Sequence, residues 1–217
     1  MTLARIGVLA LQGDFAEHIH ALTELGAETR EVRLPKDLES LDGLIIPGGE
    51  STTIRRLLDL YGLAQPITDM ASQGLPVWGT CAGMILMARH LPDDRPQPLG
   101  LMDVDVARNA FGRQVDSFEA DINVPAFGTE VFKAVFIRAP AFVRLGDTVE
   151  VVARLDDGQI VAARQAGLFA TSFHPELTKD KRFHSYFLDI VRDHEKEGQG
   201  GLNADIANVT VPSSAAS

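Results

Sequence analysis

One stretch, Leu75-Pro-Val-Trp-Gly-Thr-Cys-Ala-Gly-Met84, constrains the fold more than any other. A short apolar strand, Val77 and Trp78, runs into Gly79-x-Cys81-x-Gly83, and a helical run from Ala82 to about His90 follows without a gap. Strand, sharp turn and helix in that order form a nucleophile elbow, which lifts a reactive atom above the edge of a sheet. The flanking glycines suit a turn that leaves no room for side chains beside the nucleophile. At a helix N-terminus a thiolate is favoured by the dipole and by free N–H groups. Read alone, Cys81 also fits a buried core thiol, since unpaired cysteine is among the most buried residue types.

The chain around the elbow alternates strands with helices. Ile6 to Leu11 is a continuous apolar run of the kind covered on both faces in a parallel sheet. Gln12-Gly13-Asp14 breaks it, and Phe15, Ile19, Leu22 and Leu25 keep a helical period up to Gly26. Thr29 to Leu34 and Leu44 to Ile46 are further strands. Pro47-Gly48-Gly49-Glu50-Ser51 stops the latter, and a helix follows with Ser51 or Thr52 as its cap. Ala64 to Gln73 is another helix. The expected fold is a three-layer α/β arrangement, open and mostly parallel, joined by right-handed crossovers.

After Pro92 the texture changes to strands: Met102–Ala107, Ser117–Val124, Ala134–Arg138, Val149–Leu155, Gln159–Gln165 and Leu168–Phe173. Asp156-Asp157-Gly158 is a hairpin turn. These strands extend the sheet edge in antiparallel fashion or form a small subsheet. Lys179 to about His194 is a closing amphipathic helix. One domain over residues 1–197 is expected, then a Gly-, Asn-, Ser- and Ala-rich tail over 198–217 without order.

Composition excludes several functions. A formal charge of −10, with basic residues scattered apart from Arg55-Arg56 and Lys179 to Arg182, argues against nucleic-acid binding. No apolar run approaches the ~18 residues of a membrane span. The N-terminal apolar run reads as a buried strand rather than a signal peptide. A single cysteine rules out an internal disulfide framework and fits the reducing cytoplasm. The six histidines and that cysteine lack metal-ligand spacing, so neither metal nor cofactor is expected.

A cysteine nucleophile needs a base and a group to orient that base. His174, at the end of the last strand, is placed where sites gather in parallel-rich sheets. In an extended segment Glu176 points to the same side as His174, so its carboxylate would hold one ring nitrogen and turn the other towards Cys81. Taken in isolation, His174-Pro175-Glu176 equally fits an exposed surface pair. His18, His20, His90, His184 and His194 fall on expected helices and read as surface or packing residues. At the third strand end, Gly48-Gly49 could aim an N–H of Gly49 towards an oxyanion, with the amide of Ala82 as second donor. By itself it also reads as a plain strand-to-helix turn.

Together Pro47-Gly-Gly-Glu-Ser51, Gly79-Thr-Cys-Ala-Gly83 and His174-Pro-Glu176 resemble the signature of triad-type (class I) glutamine amidotransferases. More closely, the chain resembles the glutaminase subunits of two-component pyridoxal 5′-phosphate synthases. Gly7–Gly13, Gly48–Arg56, Arg108–Asp121, Phe136–Pro140 and Ser172–Thr178 carry that likeness, which spans about residues 5–194. The resemblance implies a flavodoxin-like fold and hydrolysis of L-glutamine to glutamate and ammonia. Cys81 would be the nucleophile, His174 the proton shuttle and Glu176 its orienting partner. It implies that glutamine is held by Gly49, Glu50, Ser51, Arg108, Ile137 and Arg138. It also implies ammonia transfer to a ring of synthase subunits making pyridoxal 5′-phosphate (vitamin B6), weak activity before docking, and a part for Gln12 in that switch. A glutaminase of another pathway, such as histidine biosynthesis, carries the same triad. Elbow-cysteine proteases and stress-protein hydrolases do not predict the His-Pro-Glu string. A catalytically silent partner-binding module would not need all three residues.

Overall fold

In the computed structural model, which describes residues 3–108 and 117–207, the first strand β1 (Arg5–Leu9) lies between two parallel neighbours, β2 (Glu28–Val32) and β3 (Gly43–Ile46). The sheet continues in parallel through β4 (Val77–Thr80) to β12 (Leu168–Thr171). It then turns antiparallel through β11 (Ile160–Gln165) and β10 (Glu150–Arg154), giving the order β10-β11-β12-β4-β3-β1-β2. The apolar runs at the centre are explained by this placement, because strands covered on both faces have no solvated side.

Period-two alternation distributes these runs between two cores. Ile6, Val8, Ile45, Trp78 and Phe169 face one layer, where Leu22 of α1 (Phe15–Glu24) and Phe183, Phe187 and Val191 of α5 (Arg182–Ala207) meet them. Leu9, Leu44, Ile46 and Val77 face the other. There they pack on Ile54 and Leu58 of α2 (Ser51–Leu60), Ile67 of α3 (Ala64–Ser72) and Leu86 and Met87 of α4 (Ala82–Met87). The buried indole of Trp78 is satisfied by donating to Thr171 Oγ1 at 3.3 Å. A three-layer α/β fold with an open, mostly parallel sheet results, as expected.

The later strands do both things the pattern allowed. β10 and β11 extend the sheet edge as a hairpin, while β5 (Ala88–His90), β6 (Met102–Ala107) and β9 (Ala141–Leu145) form a separate small sheet. β7 (Ser117–Ile122) and β8 (Phe132–Ile137) pair antiparallel and place Ile122, Phe132 and Phe136 over the α5 side.

Four differences from the sequence reading have physical causes. The helix after Cys81 stops at Met87 rather than His90, because the returning chain donates Leu99 N–H to Leu86 O at 2.7 Å and Gly100 N–H to Ala88 O at 3.1 Å. Residues 88–90 are thereby released to pair with β6. β9 was not expected; it pairs antiparallel with β6, and Arg144 joins it to Asp103 and Asp105 there through hydrogen bonds of 2.7–3.1 Å. The α2 cap is Glu50, whose carboxylate accepts from Thr52 N and Thr53 N at 3.2 and 2.6 Å, in place of Ser51 or Thr52. Finally, α5 continues past Gly198 to Ala207, since Leu202, Ala204, Ile206 and Ala207 are compatible with helix despite the intervening glycines. The rest of the expected tail, 208–217, lies outside the described residues.

Phe183 is fully buried, with ring centroids 4.7 Å from Phe132, 4.9 Å from Phe127 and 5.1 Å from Phe173. Phe183→Ala is expected to destabilise the protein by about 3–5 kcal/mol. The exposed Leu60→Ala changes stability by less than about 0.5 kcal/mol. Urea denaturation midpoints check both.

Candidate active site

Cys81 leaves β4 with φ 47° and ψ −101°, a conformation that L residues rarely adopt. Strain of this kind is worth about 1–3 kcal/mol and persists only where the surroundings over-determine it. They do so here. Cys81 N–H donates to Thr171 O at 2.9 Å, and Ile85 N–H donates to Cys81 O at 3.2 Å. A Cβ on Gly83 would lie 1.9 Å from Ile46 O, and one on Gly79 2.5 Å from the Gly83 carbonyl carbon. Both glycines of the motif are therefore required by close backbone approach. The thiol is 7% exposed and faces the carbonyl of Ile137, with Sγ 3.8 Å from the oxygen.

His174 follows β12 at the same end of the sheet, fixed by its N–H donating to Val135 O at 2.8 Å. Pro175–Leu177 form a single 3₁₀ turn rather than the extended segment expected from the proline. The turn still brings Glu176 Oε1 to 2.7 Å from His174 Nδ1. The His174 imidazole lies against Gly48, where a Cβ would come within 2.3 Å of Cε1. Burial lowers the His174 pKa, but hydrogen bonds with Cys81 and Glu176 and their charges outweigh it and hold it at about 10. Burial pushes Glu176 upward, against the hydrogen bond and charge of His174. Asp14 Oδ2, 3.5 Å from His174 Nδ1, adds a second acidic group.

The glycine loop completes the site. Asp14 N–H donates to Gly48 O at 3.3 Å, and a Cβ on Gly13 would sit 1.8 Å from that oxygen. Glu50 N–H donates to Gln12 Oε1 at 2.8 Å, with Gly49 at φ 148° between them. A cavity of about 270 Å³ opens between these parts. Its walls bring together Gly49, Glu50, Ser51, Cys81, Ala82, Arg108, Ile137, Arg138 and His174. Arg138 holds a positive φ of 43°, and Arg108 is paired with Asp93 at 2.6 Å. Residues 109–116, which belong to the Arg108–Asp121 string, lie outside the described residues.

Glu176 stands behind His174 with its side chain wholly buried. Asp14 and Ile85 also line this cavity and were not expected there; Gln12, expected to take part in a switch, lines it too. Of the two readings open for His18 and His184, surface or packing, the structure shows buried packing: His18 lies beside Glu176 and Thr80, and His184 against Trp78 of β4. The Phe15, Leu22 period of α1 carried the signal for His18, because position 18 falls on that same inner face. His90, expected on a helix, is exposed on β5. Ligand atoms of Asp14, His174 and Glu176 lie within 4.8 Å of one another, but His174 Nδ1 and Glu176 Oε1 are engaged with each other there.

The buried histidines make stability depend on pH. Burial, aided by the charge of Lys181, lowers the His184 pKa to about 4, below its unfolded value near 6.5. Its neutral ring contributes fully above pH 6.5, and that contribution is lost as pH falls from 6.5 towards 4. The loss is roughly 3 kcal/mol. His174 acts in the opposite sense: its stabilisation is complete below pH 6.5 and disappears as pH rises through about 10. Urea midpoints measured from pH 4 to 10 should fall on both sides of neutrality, with His184→Phe flattening the acid limb and His174→Gln the alkaline one.

The profile of the SNO glutamine amidotransferase family matches residues 8–193. A Dehalococcoides mccartyi protein named pyridoxal 5′-phosphate synthase subunit PdxT is 55% identical over 193 residues, covering 88% of this chain and 99% of that one. The Roseiflexus castenholzii protein of the same name is 57% identical over 187 residues, covering 85% and 99%. A crystal structure described as a glutamine amidotransferase superposes with a TM-score of 0.81 at 51% identity, over 86% of this chain and 98% of that one. PurLQS from Thermotoga maritima, at 19% identity and a TM-score of 0.65, shares the fold over 87% of this chain and 99% of that one. With a cysteine elbow, a His-Glu pair and a glycine loop around one cavity, and with this extent of likeness, the chain belongs to the SNO glutamine amidotransferase family.

Proposed function

We propose that this chain hydrolyses the side-chain amide of L-glutamine as the glutaminase subunit of a pyridoxal 5′-phosphate synthase, and passes the ammonia to the synthase subunit. The observation that carries this reading is the identity above 50% to relatives of that name over 99% of their length. The site agrees with it. Cys81 Sγ attacks the amide carbon, and the oxyanion that forms is met by N–H groups of Gly49 and Ala82. His174, held by Glu176, delivers the proton to the leaving ammonia and then activates the water that releases glutamate from the thioester. The strained elbow holds the sulfur in place before substrate arrives, so little ordering remains for the reaction itself.

A cavity of about 270 Å³ suits a free amino acid rather than a chain. Of the two arginines at its wall, Arg108 and Arg138, Arg108 is already engaged with a carboxylate, and that of the substrate would displace Asp93 from the guanidinium. The backbone at Ile137 and Arg138 and the Gly49–Ser51 loop close around the remainder. Because the Glu50 carboxylate caps α2, Glu50 acts here through the shape of its loop. Gln12, bonded to the Glu50 amide, is placed to couple that loop to a docked partner. No described helix is long and apolar enough to cross a membrane, and the single thiol suits the cytoplasm, where we place the protein.

Ammonia release from L-glutamine, with and without the synthase subunit, tests the proposal. Wild type is expected to be strongly activated by that partner. Cys81→Ala should lose at least about 10³-fold in kcat, and Glu176→Gln about 10²–10⁴-fold. Full activity without the partner would refute the pathway, and no activity in either mixture would leave a binding module.

A further inference from the structure

Behind the triad lies a second set of buried polar groups that the reaction above leaves without a role. His18 of α1 and His184 of α5 are both fully buried, and His18 Nδ1 lies 3.0 Å from His184 Nε2. The other ring nitrogen of His18, Nε2, lies 3.2 Å from Thr80 Oγ1 and 3.4 Å from Glu176 Oε2. That carboxylate oxygen is buried and makes no hydrogen bond of standard geometry, and neither does His184 Nδ1. Three segments of the chain, α1, α5 and the end of β4, thus meet at His18 beside Glu176.

Proton counting selects one arrangement. With its proton on Nδ1, His18 would present a bare Nε2 lone pair to a carboxylate oxygen. His184 would then carry its own proton on Nδ1, where nothing accepts it. A buried N–H without a partner is an expensive loss. With the proton on Nε2 in both rings, His184 donates to His18 Nδ1, and His18 donates towards Glu176 Oε2 and Thr80 Oγ1. Both N–H groups then point the same way, and only one lone pair is left over. Burial keeps both rings neutral, aided for His18 by the charge of His174.

We propose that His18, oriented by His184, is a positioning residue of this site, whose Nε2–H steadies the second oxygen of Glu176 and thereby fixes His174 towards Cys81. The inference deepens the triad reading and rests on it. The titratable and charged groups facing this assembly are His174 and Asp14 beside Glu176, Cys81 beyond His174, and Lys181 beside His184. Without the His18 donor, Glu176 takes up a proton more readily and supports the His174 imidazolium less. The sulfur of Cys81 then has less counter-charge beside it and reacts more slowly with electrophiles.

Two measurements test this, and the first needs neither glutamine nor a partner. Cys81 is the only cysteine, so the rate of alkylation by iodoacetamide against pH reports its thiolate directly. In His18→Phe, which keeps ring bulk without nitrogen, the alkylation rate at neutral pH should fall by about tenfold. In the holoenzyme, kcat for glutamine should fall by about 10²-fold with KM nearly unchanged. His18→Gln, whose amide nitrogen can replace Nε2, should recover most of both. A His18→Phe protein that is less stable but has an unchanged alkylation profile and kcat would reduce His18 to packing and overturn the proposal. So would equal losses in the Phe and Gln variants. Wild-type protein labelled with ¹⁵N-histidine gives a check that needs no variant to fold: the Nδ1–H tautomer at His18 overturns the proposal, and the Nε2–H tautomer supports it. A wild-type profile with a clear thiolate step but no glutaminase activity would count against the function while leaving the positioning role intact.

Discussion

The approach of Gly83 to the carbonyl of Ile46 governs this structure. With room for no side chain there, the backbone after Cys81 turns directly over the end of β3, and the cysteine is forced into positive φ. The neighbouring strands set the rest: β12 brings His174 to the same end, and β3 brings the glycine loop. Each strand end contributes one part of the candidate site, and the parallel order β3-β4-β12 places those ends side by side. The geometry of the candidate site is therefore a consequence of strand order together with a few contacts between backbone atoms.

That dependence explains why so much of the site was legible in the residues alone. Cys81, His174 and the Gly48-Gly49 loop each terminate an apolar run, and strand ends in a parallel sheet fall at a common edge. Glu176 was legible for a partly mistaken reason. Its side chain reaches His174 through a 3₁₀ turn, not through extended alternation, and a short spacing around proline fits either geometry. The sequence carries no mark of the capping role of Glu50, since a carboxylate three residues before Thr53 fits a cap and a cavity wall alike, and here it is both.

What escaped the sequence depends on packing between distant segments. His18 and His184 are 166 positions apart and meet only when α1 and α5 cover the same face of the sheet. A histidine on the apolar stripe of a helix carries no sign of whether it fills space or meets another polar group. β9 was equally hidden: its Phe-Val-Arg pattern is ambiguous until β6 supplies a partner. The length of α5 shows the limits of composition, since glycines weaken a helix by about 1 kcal/mol each without obliging it to end.

The solitary cysteine has a chemical consequence of its own. Oxidation of Cys81 to the sulfenic acid could not be resolved by a disulfide within the chain, because no second thiol exists in it. Recovery would fall to a small external thiol able to reach a residue only 7% exposed. Beyond that first step, the sulfinic and sulfonic forms are not returned by simple thiols. The enclosure that orders the Cys81 thiol thus also shields it, and ties its oxidative lifetime to the reducing capacity of the surrounding solution.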